Sequence, residues 1–144
     1  MADASGSTGA IFPGGFLGPG PALDSRVPRR VAPRSVLIVD DDPCLLECLS
    51  AIVRETGRST AVALDGRKAL DVLAQLERPC LVLLDLIMPV MDGFEFLKAL
   101  DGPDACGDVR VVVVSGWMAE TPSHPRIIGE LRKPFDIEAL LPYL

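Results

Sequence analysis

The stretch Leu81-Val82-Leu83-Leu84-Asp85 constrains this chain more than any other. Four large apolar residues in a row, with no polar alternation, describe a strand buried on both faces, as in a parallel sheet covered by helices. The run stops at one carboxylate. Pro89 then forbids a continuing central strand, and Asp92-Gly93 is a turn dipeptide. An aspartate at the end of a buried strand, just ahead of a loop, is placed for chemistry rather than for packing.

The pattern recurs along the chain. Ser35 to Asp40 is a second buried run and ends in Asp40, Asp41 and Asp42. Pro43 suits the first position of a helix, which makes Asp42 its N-cap. That helix runs to about Thr56, with Leu45, Leu46, Leu49, Ile52 and Val53 at helical spacing and Gly57 as its stop. Cys44 and Cys48, one turn apart on it, read as packed structural thiols. Thr60 to Ala63 is a short strand, Asp65-Gly66 a turn, and Arg67 to about Glu77 a helix ended by Pro79. After the central strand a helix spans about Gly93 to Leu100. Val109 to Val114 is the fourth strand and ends at Ser115-Gly116. Pro122 and Pro125 leave Trp117 to Ile128 at most one or two helical turns. Ile127 to Leu131 allows a short strand. Lys133-Pro134-Phe135 leads into a last helix from about Asp136 to Leu144.

Strands alternating with helices imply a doubly wound α/β fold on a five-stranded parallel sheet, with a shortened fourth-helix region. In such sheets the ligand crevice lies beyond the carboxyl ends of the strands. Asp40, Asp41, Asp85, Ser115 and Lys133 all follow strands. Residues 1–33 are a different material, rich in Gly and Pro, with no strand or helix period, and are expected to form a flexible tail before a domain at 34–144.

Composition narrows the function further. A net charge of −6 argues against a nucleic-acid surface. No apolar segment reaches the ~20 residues of a membrane span, and no secretory signal is evident, so a cytoplasmic protein is expected. The four cysteines form no C-x-x-C pair, and the lone histidine, His124, lies in a proline-flanked loop, which makes zinc a poor fit.

Three carboxylates brought together repel one another, and oxygen-only ligands suit a hard ion, Mg²⁺ or Mn²⁺. A lysine and a hydroxyl beside such an ion can take up charge on a transferred phosphoryl group, and one aspartate can serve as the nucleophile.

The blocks Val36 to Asp42, Ala63 to Gly66, Leu83 to Gly93, Val111 to Gly116 and Lys133 to Phe135, in this order, resemble the receiver domains of bacterial two-component response regulators. The resemblance covers about Arg34 to Leu144 and implies a flavodoxin-like sheet of strand order 2-1-3-4-5. It implies Asp85 as phospho-acceptor from the phosphohistidine of a histidine kinase or phosphotransfer protein. It also implies Asp41 and Asp85 as direct magnesium ligands, Asp40 acting through water, and the backbone carbonyl of Ile87 completing the shell. Ser115 takes the place of the switch hydroxyl and Lys133 that of its ion-pair partner. Ile87 and Trp117 flank the site. With one domain's length, a stand-alone receiver is expected.

Two departures stand out. The interval from Ser115 to Lys133 is short and carries two prolines, and Glu130 occupies the position, three before the lysine, where the family tends to place an aromatic. They leave room for an alternative, a receiver-like adaptor that binds a partner without regulated phosphorylation. A haloacid-dehalogenase-type phosphatase is the other alternative. It needs a further acidic pair, for which only Asp136 and Glu138 remain, and it leaves Asp85 without a role.

Overall fold

The apolar runs become the strands β1 (Ser35–Val39), β2 (Ser59–Ala63), β3 (Cys80–Leu84), β4 (Val109–Ser115) and β5 (Ile127–Arg132). They pair in parallel in the order β2-β1-β3-β4-β5. The computed structural model describes residues 31–102, 107–116 and 119–144. The expected tail up to residue 30, Cys106 and Trp117 lie outside the described residues. Val31–Leu144 is one compact unit, and the Val31 carbonyl already accepts from Arg110 Nη1 at 2.9 Å.

Side-chain alternation along the strands sorts the core into two layers. Leu37, Val39, Val82, Leu84, Val111 and Val113 face α2 (Gly66–Leu73) and α3 (Gly93–Ala99), where Phe96 is fully buried. Val36, Ile38, Leu81, Leu83, Val112 and Val114 face α1 (Pro43–Arg54) and α4 (Ile137–Leu140). Each fully buried side chain of this size contributes ~1.5–3 kcal/mol, and the period of two lets one strand feed both layers. This is why β1, β3 and β4 lack polar alternation.

Aspartates open all four α-helices of the described residues, and three of them cap with their side chains. Asp42 caps α1 by accepting from Cys44 N, Asp65 caps α2 from Lys68 N, and Asp92 forms a capping box with Glu95. The start of α3 presses on the end of β3. A Cβ on Gly93 would lie 2.5 Å from the Asp85 carbonyl oxygen and 2.7 Å from Leu86 Cα, so only glycine fits there. Between the two elements Val90 adopts φ 68°, with Met91 N donating to Pro89 O at 2.7 Å. This is a γ-turn of the strained hand, on a β-branched residue that is 81% exposed.

Several elements depart from the sequence expectations. The expected helix 67–77 stops as α2 at Leu73, because Arg78 Nη1 takes the carbonyls of Leu73 and Leu76 and the chain tightens into turns. The last helix is four residues long and gives way to a 3-10 turn at Leu141–Tyr143, where Pro142 has no N–H to continue the ladder. Cys44 and Cys48 are exposed rather than packed, while Cys80 is buried.

Between β4 and β5 the described residues contain no helix. Side chains tether this crossover. His124 Nδ1 accepts from Arg126 N at 3.2 Å, so a neutral ring carries its proton on Nε2, which lies 3.0 Å from Asp101 Oδ1 beyond α3. Arg126 Nη1 reaches the carbonyls of Gly107 and Val109.

Candidate functional site

β1 and β3 are neighbours although β2 lies between them in sequence, so the connections leaving their carboxyl ends run to opposite sides. That reversal opens a crevice. Asp40 follows β1 on one wall and Asp85 follows β3 on the other. The main chain fixes both: Asp40 N donates to Ala63 O at 3.1 Å and Asp85 N to Val39 O at 2.9 Å.

The crevice gathers the residues singled out in the sequence. Carboxylate oxygens of Asp40, Asp41 and Asp85 all lie within 4.8 Å of one another. Asp40 is 2% and Asp85 6% exposed, whereas Asp41 is open to solvent. Asp40 Oδ1 accepts from Asp42 N at 2.9 Å, and its Oδ2 takes Lys133 Nζ at 2.6 Å. Lys133 Nζ also lies 3.6 Å from Asp85 Oδ2. Lys133 reaches in from just after β5, where its N–H donates to Ser115 O at 2.8 Å. Ser115 is fully buried, and its Oγ has no hydrogen-bond partner. Ile87 N donates to Asp85 Oδ1 at 3.3 Å, while its side chain is 62% exposed on the rim.

The electrostatics follow from this crowding. Burial, then the charge of Asp40, pushes the Asp85 carboxyl above its ordinary range, with Lys133 and the Ile87 N–H pulling the other way. Burial by itself would lower the Lys133 ammonium, but Asp40 and Asp85 outweigh it and hold that group above its usual value. One lysine thus answers three carboxylates. The donor set is all oxygen, two of the acids are buried, and a single ammonium offsets the repulsion only in part, which is the environment a hard cation fits.

Beside Lys133 a groove of about 550 Å³ runs between α1 and the turn into α4, lined by Asp42, Leu45, Leu49, Pro134, Phe135 and Ile137 among others. Leu45 was legible in the sequence as a helical apolar position, but not as a groove wall. Phe135, read only as part of a motif, forms the facing wall.

A doubly wound parallel sheet with an acidic cluster across its switch point, a lysine reaching into the cluster and a buried strand-end hydroxyl defines the receiver class of α/β proteins. Residues 36–144 match the response regulator receiver domain family, and the chain belongs to it. Among its relatives is the sporulation initiation phosphotransferase F of Bacillus subtilis, 34% identical over 109 residues, which cover 73% of this chain and 86% of the relative. The protein Rrf1 of Nitratidesulfovibrio vulgaris is 32% identical and matches over 76% of this chain and 78% of its own. The fold is similar to a CheY-like receiver domain from Methanospirillum hungatei, with a TM-score of 0.66 at 27% identity over 75% of this chain and 88% of the other. The protein is a signal-transduction receiver of the two-component phosphorelay type. No helix among the described residues is long and apolar enough to cross a membrane.

Proposed function

We propose that this receiver accepts a phosphoryl group on Asp85 from the phosphohistidine of a histidine kinase or phosphotransfer protein. The observation that carries the reading is Asp85 itself, a buried carboxylate ending β3, 3.6 Å from the Lys133 ammonium and grouped with Asp40 and Asp41. An ionised Asp85 oxygen attacks the phosphorus as the bond to the donor's imidazole nitrogen breaks. The Ser115 hydroxyl, buried without a partner, then donates to one phosphoryl oxygen, and Lys133 pairs with another.

Asp41 and Asp85 directly, Asp40 through water and the Ile87 main-chain carbonyl would hold Mg²⁺ or Mn²⁺. When bound, the ion offsets the negative charge that the carboxylates and phosphoryl oxygens share. In this reading the apolar groove beside Lys133 receives the donor protein. Ile87, on the rim, limits access of water to the acyl phosphate. The domain signals rather than turning over a substrate, with slow self-dephosphorylation as its own chemistry. It works in the cytoplasm, with 34–144 as the receiver.

The departures between β4 and β5 favour one second reading, an adaptor that binds without regulated phosphorylation. The phosphatase alternative lacks support: Asp136 and Glu138, its candidate acidic pair, are exposed at the start of α4. Transfer of labelled phosphate from a phosphohistidine protein separates these readings. Native protein with Mg²⁺ should become labelled, and neither Asp85→Ala nor native protein in chelator should. Labelling of Asp85→Ala at the native rate would move the acceptor elsewhere.

A further inference from the structure

We propose that Glu130 and Arg132 form a clamp that positions the Ser115–Gly116 strand end in the resting protein and so sets how readily the site takes its phosphoryl group. The proposal deepens the reading of Asp85 as acceptor and rests on it. Leu131 packs into the layer under α1 and α4, so its neighbours Glu130 and Arg132 project from the opposite face of β5. That is the face on which the tethered crossover runs in place of a helix.

The two side chains join three points of the crossover. Glu130 Oε2 accepts from Arg132 Nε at 2.8 Å and from Thr121 Oγ1 at 2.6 Å. The guanidinium, oriented by that carboxylate, donates from Nη1 to Gly116 O at 3.1 Å and to Ala119 O at 2.5 Å. Gly116 directly follows Ser115, whose own carbonyl is already tied to Lys133 N at 2.8 Å. The strand end is therefore held on both sides of the α-carbon of Gly116, while the Ser115 hydroxyl stays without a partner. Any shift of the Ser115–Gly116 backbone that carries this hydroxyl towards a phosphoryl group on Asp85 loosens the bonds from Arg132. Whatever holds the resting arrangement more tightly opposes the phosphorylated one by the same free energy.

Magnitudes set the expectation. Arg132 and Glu130 side chains are 47% and 36% exposed, so the contact acts through a network of modest bonds rather than one strong pair. Glu130→Ala should speed amide exchange of Gly116 and Ala119 in the resting protein by about fivefold. It should also tighten binding of beryllofluoride, in the presence of Mg²⁺, by a similar factor, with affinity for Mg²⁺ alone unchanged. Arg132→Lys, which keeps the charge but loses the fork, should act in the same direction. Glu130→Gln, which keeps both acceptor contacts, should restore most of the native behaviour. Because neither side chain packs in the core, these variants should fold; should Glu130→Ala fail to, Thr121→Val removes a single bond and carries the same signs. Unchanged exchange in Glu130→Ala and Arg132→Lys would overturn the clamp. Faster exchange with unchanged beryllofluoride affinity would overturn its role at the site. A native protein that binds no beryllofluoride would bring down the acceptor reading and that role with it, and the exchange comparison would still decide whether the clamp exists.

Discussion

The acidic crevice and the β4–β5 crossover lie at either end of one strand residue, Ser115, and are held by different means. In the crevice, Asp40 and Asp85 hang from the carboxyl ends of central strands. Main-chain hydrogen bonds fix their backbones, and both are almost fully buried. In the crossover, position depends on side chains that are partly in solvent: Glu130 with Thr121, Arg132 with two carbonyls, His124 with Asp101. Sheet geometry over-determines the first region, so its chemistry tolerates little variation. The second is held by contacts each worth little, which places it among the parts of a fold that open at low cost. A receiver can thus vary its crossover, and with it how readily the site responds, while the groups that would carry the phosphoryl chemistry stay fixed.

The sharpest break of this comparison is at Asp85. Asp85→Asn should reduce phosphate acceptance to background. Its effect on stability should run the other way. A carboxyl raised by burial and by Asp40 stabilises the fold while protonated and loses that contribution as pH rises through its folded value, so at neutral pH its charge is a net cost without metal. Metal-free Asp85→Asn should therefore melt a few degrees above the native protein at neutral pH. The gap should narrow as pH falls and the native carboxyl takes up its proton. Thermal melts at stepped pH read both, and a variant that melts lower at neutral pH would contradict the electrostatic account.

Two glycines test the difference in rigidity. Gly93→Ala drives a methyl group into backbone atoms of Asp85 and Leu86, which have nowhere to go, and should cost about 2–3 kcal/mol in urea unfolding. Gly129→Ala on β5 meets the ring and hydroxyl of Tyr143, a side chain near the chain end that can swing aside. It should cost under about 1 kcal/mol. Equal costs would remove the contrast. The smallest effect is expected at Val90, which is exposed and strained. Val90→Gly should gain about 0.5–1 kcal/mol, the relief of a positive φ less the entropy of a freer residue.

The crevice was legible in the sequence because burial on both faces demands unbroken apolar runs. A polar residue that ends such a run is conspicuous, as Asp40, Asp85 and Ser115 are. Lys133 was placed by its motif and its position after a strand. The exposure of Cys44 and Cys48 was also there to be read: the spacing that turns Leu46, Leu49 and Val53 inward turns positions 44 and 48 outward. The early end of α2 was not, because it depends on where the Arg78 guanidinium lands. The crossover was legible only as a negative, two prolines that leave at most one or two helical turns. What stands there instead depends on contacts between residues nine or more apart, Thr121 with Arg132's partner Glu130 and Asp101 with His124, and no local period encodes them.

Hydrogen exchange of the native protein, with and without Mg²⁺ and beryllofluoride, tests the central claim most directly. The account predicts that the response is concentrated at Ser115, Gly116 and the described crossover residues 119–126, while the β1 and β3 ladders stay as protected as before. A response carried by α1–α3 with residues 115–126 unchanged would contradict it, as would strong helix-like protection across the crossover before beryllofluoride is added.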